Sequence, residues 1–180
     1  MASNSSFGKK LFCFGYGYCC EYLSHTLKPN GNWQISGTTR DPDKQHLLQN
    51  RGIDAHIFRG NAPLSDPDFI LKGVTHLLLS IPPNDEGDPA YLMHARDLLN
   101  IDTLEWVGYL STTGVYGDKD GALVDENGEI SPTSKRGSRR ARAEEQWLSL
   151  YRESGFPLHI FRLSRSEERR VGKECPSPCR

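Results

Sequence analysis

No apolar run in the sequence approaches membrane-spanning length, and the opening residues 1–8 are polar, without the apolar core of a secretory leader. A cytoplasmic, reducing setting with no membrane partner is the expectation. An excess of charge of one sign is also lacking. Lys and Arg total 22 against 23 Asp and Glu, for a formal net charge of −1, so the overall balance gives no reason to expect a long polyanion as the main partner. Cysteine is sparse at five residues and lacks the paired spacing of a zinc site. Cys13, Cys19 and Cys20 fall in the first strand and helix, where a reduced thiol acts as a small hydrophobe, while Cys175 and Cys179 make at most half a metal site. No metal is expected, and no internal repeat is visible. What remains, 36% hydrophobic and 25% charged residues over 180 positions, is ordinary for one globular domain with a sizeable core.

The most informative stretch is Lys10-Leu11-Phe12-Cys13-Phe14-Gly15-Tyr16-Gly17-Tyr18-Cys19-Cys20. An apolar strand stops at Gly-x-Gly and passes at once into a helix predicted over 18–27, a geometry suited to a pyrophosphate. Gly15 allows the tight turn, Gly17 lets a phosphate approach the backbone, and the positive end of the helix faces the charge. Tyr16 and Tyr18 flank this turn and count with the cofactor site. The third glycine of the dinucleotide fingerprint is absent, and Cys20 stands there. Its side chain is expected to hold helix and strand slightly further apart.

Further along, strand and helix alternate. A second strand over 33–38 ends on Thr39-Arg40, where an acid would select a ribose 2′-hydroxyl and an arginine accommodates a 2′-phosphate. Arg40 with no acid before it favours NADP over NAD, the bland alternative being a solvated arginine or one paired with Asp41 or Asp43. Asp41-Pro42 opens a helix that stops at Gly52. A third strand over 55–58 leads to Asn61, within reach of an adenine ring. A short helical piece surrounds residues 69–71. Val74 to Ile81 reads as a buried fourth strand whose end, Ser80-Ile81, lies on the cofactor side. A helix over 91–99 presents Leu92, Ala95, Leu98 and Leu99 on one face, with Met93 and His94 as surface or packing residues. A fifth strand reaches Ser111-Thr112-Thr113-Gly114-Val115-Tyr116-Gly117, a polar loop follows over 118–131, a helix spans 136–154 and Leu158 to Leu163 is a sixth strand. The alternation predicts an α/β, Rossmann-like, doubly wound parallel sheet.

The chain resembles the extended short-chain dehydrogenase/reductases, and among them the nucleoside-diphosphate-sugar epimerases and dehydratases, over about residues 9–163. The resemblance rests on the Gly-x-Gly turn, Thr38-Thr39-Arg40, Ser80-Ile81-Pro82-Pro83 and above all Ser111 to Gly117, which is similar to the family's Ser-Ser-x-x-Val-Tyr-Gly strand. It implies hydride transfer at a nicotinamide, a small-molecule substrate such as a sugar nucleotide, and Thr112 as the hydroxyl that steadies the reacting oxygen. Thr113 falls on the substrate side. Two threonines that merely suit a strand are the alternative.

The family's acid/base tyrosine lies in Tyr-x-x-x-Lys. Aligning Arg136-Gly137-Ser138-Arg139-Arg140 with the family's Tyr-Gly-x-Ser-Lys puts Arg136 at the tyrosine and Arg140 at the lysine. Arginine keeps its proton, so Arg136 cannot move one. Arg140 is still suited to the ribose or phosphate of the nicotinamide half, with Ser80, and Arg136 and Arg140 share a helix face fit to clamp an anionic substrate. Tyr116 is the substitute acid on offer. A nucleic-acid patch over 135–142 is a poor second reading, given Glu144-Glu145 beside it. The implied protein is an atypical member, either an enzyme or a non-catalytic dinucleotide sensor. Residues 164–180 have neither periodicity nor apolar content and resemble a frameshift or translated cloning sequence, which would leave most of the substrate lobe missing, the alternative being a disordered native terminus.

Overall fold

A computed structural model describes residues 8–164. Apart from Gly8 and Ser164, the polar lead and the foreign-looking tail, with Cys175 and Cys179, lie outside the described residues. The chain runs β1 (Lys9–Phe14), α1 (Tyr18–Leu27), β2 (Trp33–Thr39), α2 (Pro42–Asn50), β3 (Asp54–Ile57), α3 (Pro67–Ile70), β4 (His76–Leu79), α4 (Pro89–Leu99), β5 (Trp106–Thr112), α5 (Lys135–Ser154) and β6 (Leu158–Leu163). Single 3-10 turns follow α1 and β5. The six strands form one parallel sheet in the order β3-β2-β1-β4-β5-β6. Strand order reverses between β1 and β4, which opens a crevice at their carboxyl ends.

Period-two alternation along β1 builds a core on each face of the sheet. Leu11 and Cys13 pack with Ile35, Leu48 and Leu78 under α1 and α2, whereas Phe12 and Phe14 pack with Leu77, Leu79, Val107 and Trp147 under α4 and α5. The helix starts carry side-chain caps. Asp41 accepts from the Asp43 amide at 2.9 Å, Asp88 from the Ala90 amide at 2.8 Å and Ser134 from the Gly137 amide at 3.0 Å. Each of α2, α3 and α4 also begins on proline, whose fixed φ suits the first turn.

Two elements differ from the sequence reading. β4 spans only His76–Leu79, because Val74 closes a turn onto the Leu71 carbonyl and Ser80 bends back over Gly15. Helix α4 starts at Pro89 and buries Ala90, His94 and Leu98, leaving Leu92 and Leu99 exposed. The reason is that His94 behaves as an apolar plate. Its Nε2 accepts from the Leu64 amide at 3.1 Å and its Nδ1 meets Asp97 at 2.7 Å, so the ring is satisfied and packs at a tilt against Phe14 and Phe58. Helix α5 approaches the 3-10 turn after β5 closely at Gly137, where an added Cβ would lie 2.5 Å from the Gly114 carbonyl oxygen. Among the described residues no helix is long and apolar enough to cross a membrane, and no group of three metal-ligating side chains gathers.

Candidate active site

A cleft of about 330 Å³ lies at the switch point, lined by Gly15, Tyr16 and Gly17 after β1, Thr38 to Asp41 with Lys44 around the β2–α2 junction, Phe58 to Gly60 after β3 and Ser80 to Pro82 after β4. The turn that floors it is tightly held. The Gly15 amide donates to Thr38 Oγ1 at 2.8 Å and the Tyr16 amide to the Thr38 carbonyl at 2.6 Å. The Gly15 carbonyl accepts from the Gly17 amide at 2.8 Å and from Ser80 Oγ at 2.6 Å.

The two glycines are glycine for different reasons. Gly15 has φ +87°, and a Cβ there would meet Ile81 Cγ1 at 3.0 Å, so the backbone itself demands it. Gly17 has φ −106°, which any residue adopts, and a Cβ there would meet only the Gly15 carbonyl oxygen, at 4.0 Å. Among the described residues no other atom comes within 4 Å of that position. That open cradle, at the positive end of α1, has the form of a phosphate seat. Cys20, at the place of the missing third glycine, is fully buried in the core cluster with Leu11 and Cys13 of β1.

Arg40 reaches the cleft as the sequence suggested, and two further cations join it: Lys44 in the first turns of α2 and Arg59 just after β3. Among the described residues none of the three side chains takes an ion pair or hydrogen bond. Arg40 is therefore not paired with Asp41, whose carboxylate caps α2 instead. Arg40 and Lys44 are four residues apart, a signal present in the sequence. Arg59 comes from a separate strand end and carried none.

The remaining candidates are distributed as follows. Thr39 and Ile81 line the cleft, and so does Ser80, although its hydroxyl points back to the Phe14 and Gly15 carbonyls as a strut of the turn. Tyr18 and Asn61 are exposed and do not line the cleft. Arg140 does not line it either: it is buried beneath β5, donating to Tyr109 Oη at 3.1 Å and to the Leu110 carbonyl at 2.7 Å. Tyr109 is fully buried, and burial pushes its hydroxyl pKa well up.

Thr112 ends β5 half-buried, its Oγ1 accepting from the Gly114 amide at 3.2 Å, which leaves the hydroxyl proton to donate elsewhere. Thr113 and Tyr116 border a second, open hollow of about 610 Å³ between β6, α5 and residues 124–126. Tyr116 is tied down there: Arg162 donates to its Oη at 2.8 Å and lies over its ring at 5.0 Å. Arg162 in turn pairs with Glu144 at 2.9 Å, and Ser111 donates to the same carboxylate.

Four of the five basic residues of the cluster, Lys135, Arg139, Arg140 and Arg142, are held by protein partners. Arg139 grips Asp85 through Nε at 2.6 Å, Lys135 faces the same carboxylate at 3.4 Å and Arg142 donates to the Asp85 carbonyl. Arg139 foremost holds the Asp85 carboxyl down at about 2. Among the described residues Arg136 alone of the five lacks a hydrogen bond or ion pair. It is exposed, next to the Gly137–Gly114 contact and hence beside the end of β5.

No protein-family model and no curated protein matches the chain. Among solved structures the neighbours are epimerases, dehydratases and reductases, several of them solved with NAD. The chain shares the Rossmann-like fold of these proteins. The UDP-glucuronic acid 4-epimerase of Bacillus cereus in complex with NAD is 20% identical, with 86% of this chain and 56% of that one covered and a TM-score of 0.70. Vestitone reductase from alfalfa is 16% identical, over 87% and 56%, with a TM-score of 0.70. A conserved protein of unknown function from Silicibacter pomeroyi is 42% identical, over 86% of this chain and 52% of that one, with a TM-score of 0.75. The chain spans about half the length of each of these structures.

Proposed function

We propose that this chain binds NADP in the cleft and belongs to an oxidoreductase of the nucleoside-diphosphate-sugar epimerase or reductase type. The observation that carries the reading is Gly17, whose φ does not demand glycine and whose Cβ position would meet only the Gly15 carbonyl oxygen, set at the start of a helix in a cleft also lined by Arg40, Lys44 and Arg59, which take no ion pair among the described residues. Gly15 shapes the turn, Gly17 and the start of α1 seat the pyrophosphate, and Arg40 with Lys44 and Arg59 receives the 2′-phosphate. The nicotinamide, when bound, supplies the hydride chemistry. Thr112 is assigned to orient and hydrogen-bond the reacting substrate oxygen, while Arg136 faces an anionic part of the substrate.

Two results are expected. Arg40→Ala weakens NADPH by about tenfold or more, about 1.4 kcal/mol, and changes NADH by less than about twofold; equal losses in parallel fluorescence titrations would remove the 2′-phosphate assignment. Thr112→Val lowers the rate of NADPH-dependent reduction by about 10²-fold or more, the scale of one lost oxyanion donor, with NADPH affinity retained. An unchanged rate would strip Thr112 of its role.

A second reading, a sensor that binds the dinucleotide without turning it over, is favoured by one specific observation. The chain contains no Tyr-x-x-x-Lys, and Arg140, at the lysine's place, is committed to Tyr109 and Leu110. Dinucleotide binding without hydride transfer to any carbonyl or sugar-nucleotide substrate would select it.

A further inference from the structure

The two walls of the cleft are unequal. On one side of the turn after β1 stand the ends of β2 and β3, which bring in Arg40, Lys44 and Arg59, three cations with no ion pair or hydrogen bond among the described residues. Asp41 lies beside them, but its carboxylate accepts from the Asp43 amide as the cap of α2. On the other side stand Ser80, Ile81 and Pro82, from the end of β4. Among the described residues no charged side chain lines that wall. A dinucleotide spans the crevice where the strand order reverses. With the 2′-phosphate at Arg40 and the pyrophosphate at Gly17, the adenosine half takes the cationic wall, and the nicotinamide half is left with the end of β4.

That second wall has little with which to hold a nicotinamide. Ser80 spends its one hydroxyl proton on the Gly15 and Phe14 carbonyls, at 2.6 and 3.1 Å. Pro82 and Pro83 have no N–H, so Ile81 supplies the sole backbone donor of residues 81–83. The polar groups that follow are engaged elsewhere. Asn84 Oδ1 accepts from the Glu86 and Gly87 amides at 2.8 and 3.0 Å, and Arg139 grips Asp85. Arg140 donates to Tyr109 and Leu110 beneath β5, and neither it nor Thr112 lines the cleft.

Charge divides the ligand in the same way. A 2′-phosphate places its negative charge directly against three cations. Oxidation of the nicotinamide adds one positive charge to a ring that faces an isoleucine and a proline. The cations of the opposite wall stand beyond the pyrophosphate, and salt screens exposed charges over about 8 Å at physiological ionic strength.

The geometry points to a cleft that reads the phosphorylation of the adenosine ribose and not the oxidation state of the nicotinamide, an inference that rests on the reading of the cleft given above. Its ligand class is the 2′-phosphorylated adenosine diphosphates, whatever group the far phosphate carries. Affinity comes from the seat at Gly17 and from the cations, and the nicotinamide adds little. A sensor built on this cleft responds to the sum of NADP and NADPH, not to their ratio.

The test is isothermal titration calorimetry of the full chain with NADPH, with oxidised NADP, with 2′-phospho-ADP-ribose, which is the same molecule without its nicotinamide, and with ADP-ribose, which lacks the 2′-phosphate as well. The first three should bind within about fivefold of one another, and ADP-ribose at least about tenfold more weakly than 2′-phospho-ADP-ribose. Arg59→Ala should weaken NADPH and 2′-phospho-ADP-ribose by the same factor, about fivefold or more. A gap wider than about fivefold between NADPH and either oxidised NADP or 2′-phospho-ADP-ribose overturns the inference and leaves the cleft reading standing. Unequal losses in Arg59→Ala, or no loss, do the same. ADP-ribose that binds within about tenfold of 2′-phospho-ADP-ribose overturns the reading of ribose phosphorylation. A folded chain that binds none of the four overturns the cleft reading and this inference with it.

Discussion

Gly17→Asp should reduce NADPH affinity by at least about a hundredfold, about 2.8 kcal/mol, and leave the melting temperature within about 2 °C of the parent. A Cβ at this position meets only the Gly15 carbonyl oxygen, at an ordinary 4.0 Å, and the φ of −106° suits any residue, so the backbone has no reason to object. Aspartate is moreover a good residue at this position, the cap of α1, where it stabilises the helix. The same carboxylate would occupy the proposed phosphate seat and repel a phosphate there. Gly15→Ala has the opposite signature: a Cβ at φ +87° and 3.0 Å from Ile81 should cost about 1–3 kcal/mol of folding stability before binding is considered. Thermal melts and NADPH titrations on both variants separate the two roles. Unchanged affinity in Gly17→Asp would end the case for a phosphate at this turn.

The largest effect on stability is expected at Arg162. Its guanidinium joins β6 to Glu144 on α5, to Tyr116 Oη and, at 2.9 Å, to the Glu126 carbonyl. The Glu144 side chain is only 3% exposed, so Arg162→Met strands a carboxylate in the core, a loss of about 3–5 kcal/mol for a fully buried pair. The Arg162 side chain is itself 18% exposed and lets water approach, which places the expectation near about 3 kcal/mol. Removing both charges with Glu144→Leu and Arg162→Met should recover much of the loss, because the double variant leaves no ion unpaired. Urea denaturation of the single and double variants measures this. A single variant as stable as the parent would mean that the pair contributes nothing.

The order of elements was legible because glycine and proline punctuate the chain. Helix α1 ran where the sequence placed it, from the residue after Gly17 to Leu27, and α5 ended at Gly155. The inner face of α4 was misread because periodicity alone ranks His94 as polar, while two hydrogen bonds make it a core residue. In the cleft, local spacing revealed Gly15, Gly17 and Arg40. Arg59 was not legible, since only the pairing of β3 beside β2 brings it to Arg40. Arg140 was expected at the cofactor because its alignment with a lysine says where it starts on the helix. The alignment does not say that the Leu110 carbonyl and Tyr109 claim its guanidinium from below.

The contact between Gly137 and Gly114 bears on how such a site can change over evolutionary time. Every amino acid other than glycine at 137 would collide with the Gly114 backbone, so that position is closed to drift. Arg136, immediately before it, is exposed and sterically free to become something else. The distance between α5 and the end of β5 is therefore stored in a residue with no side chain. The side chain at 136 can be exchanged one codon at a time without moving the frame that presents it.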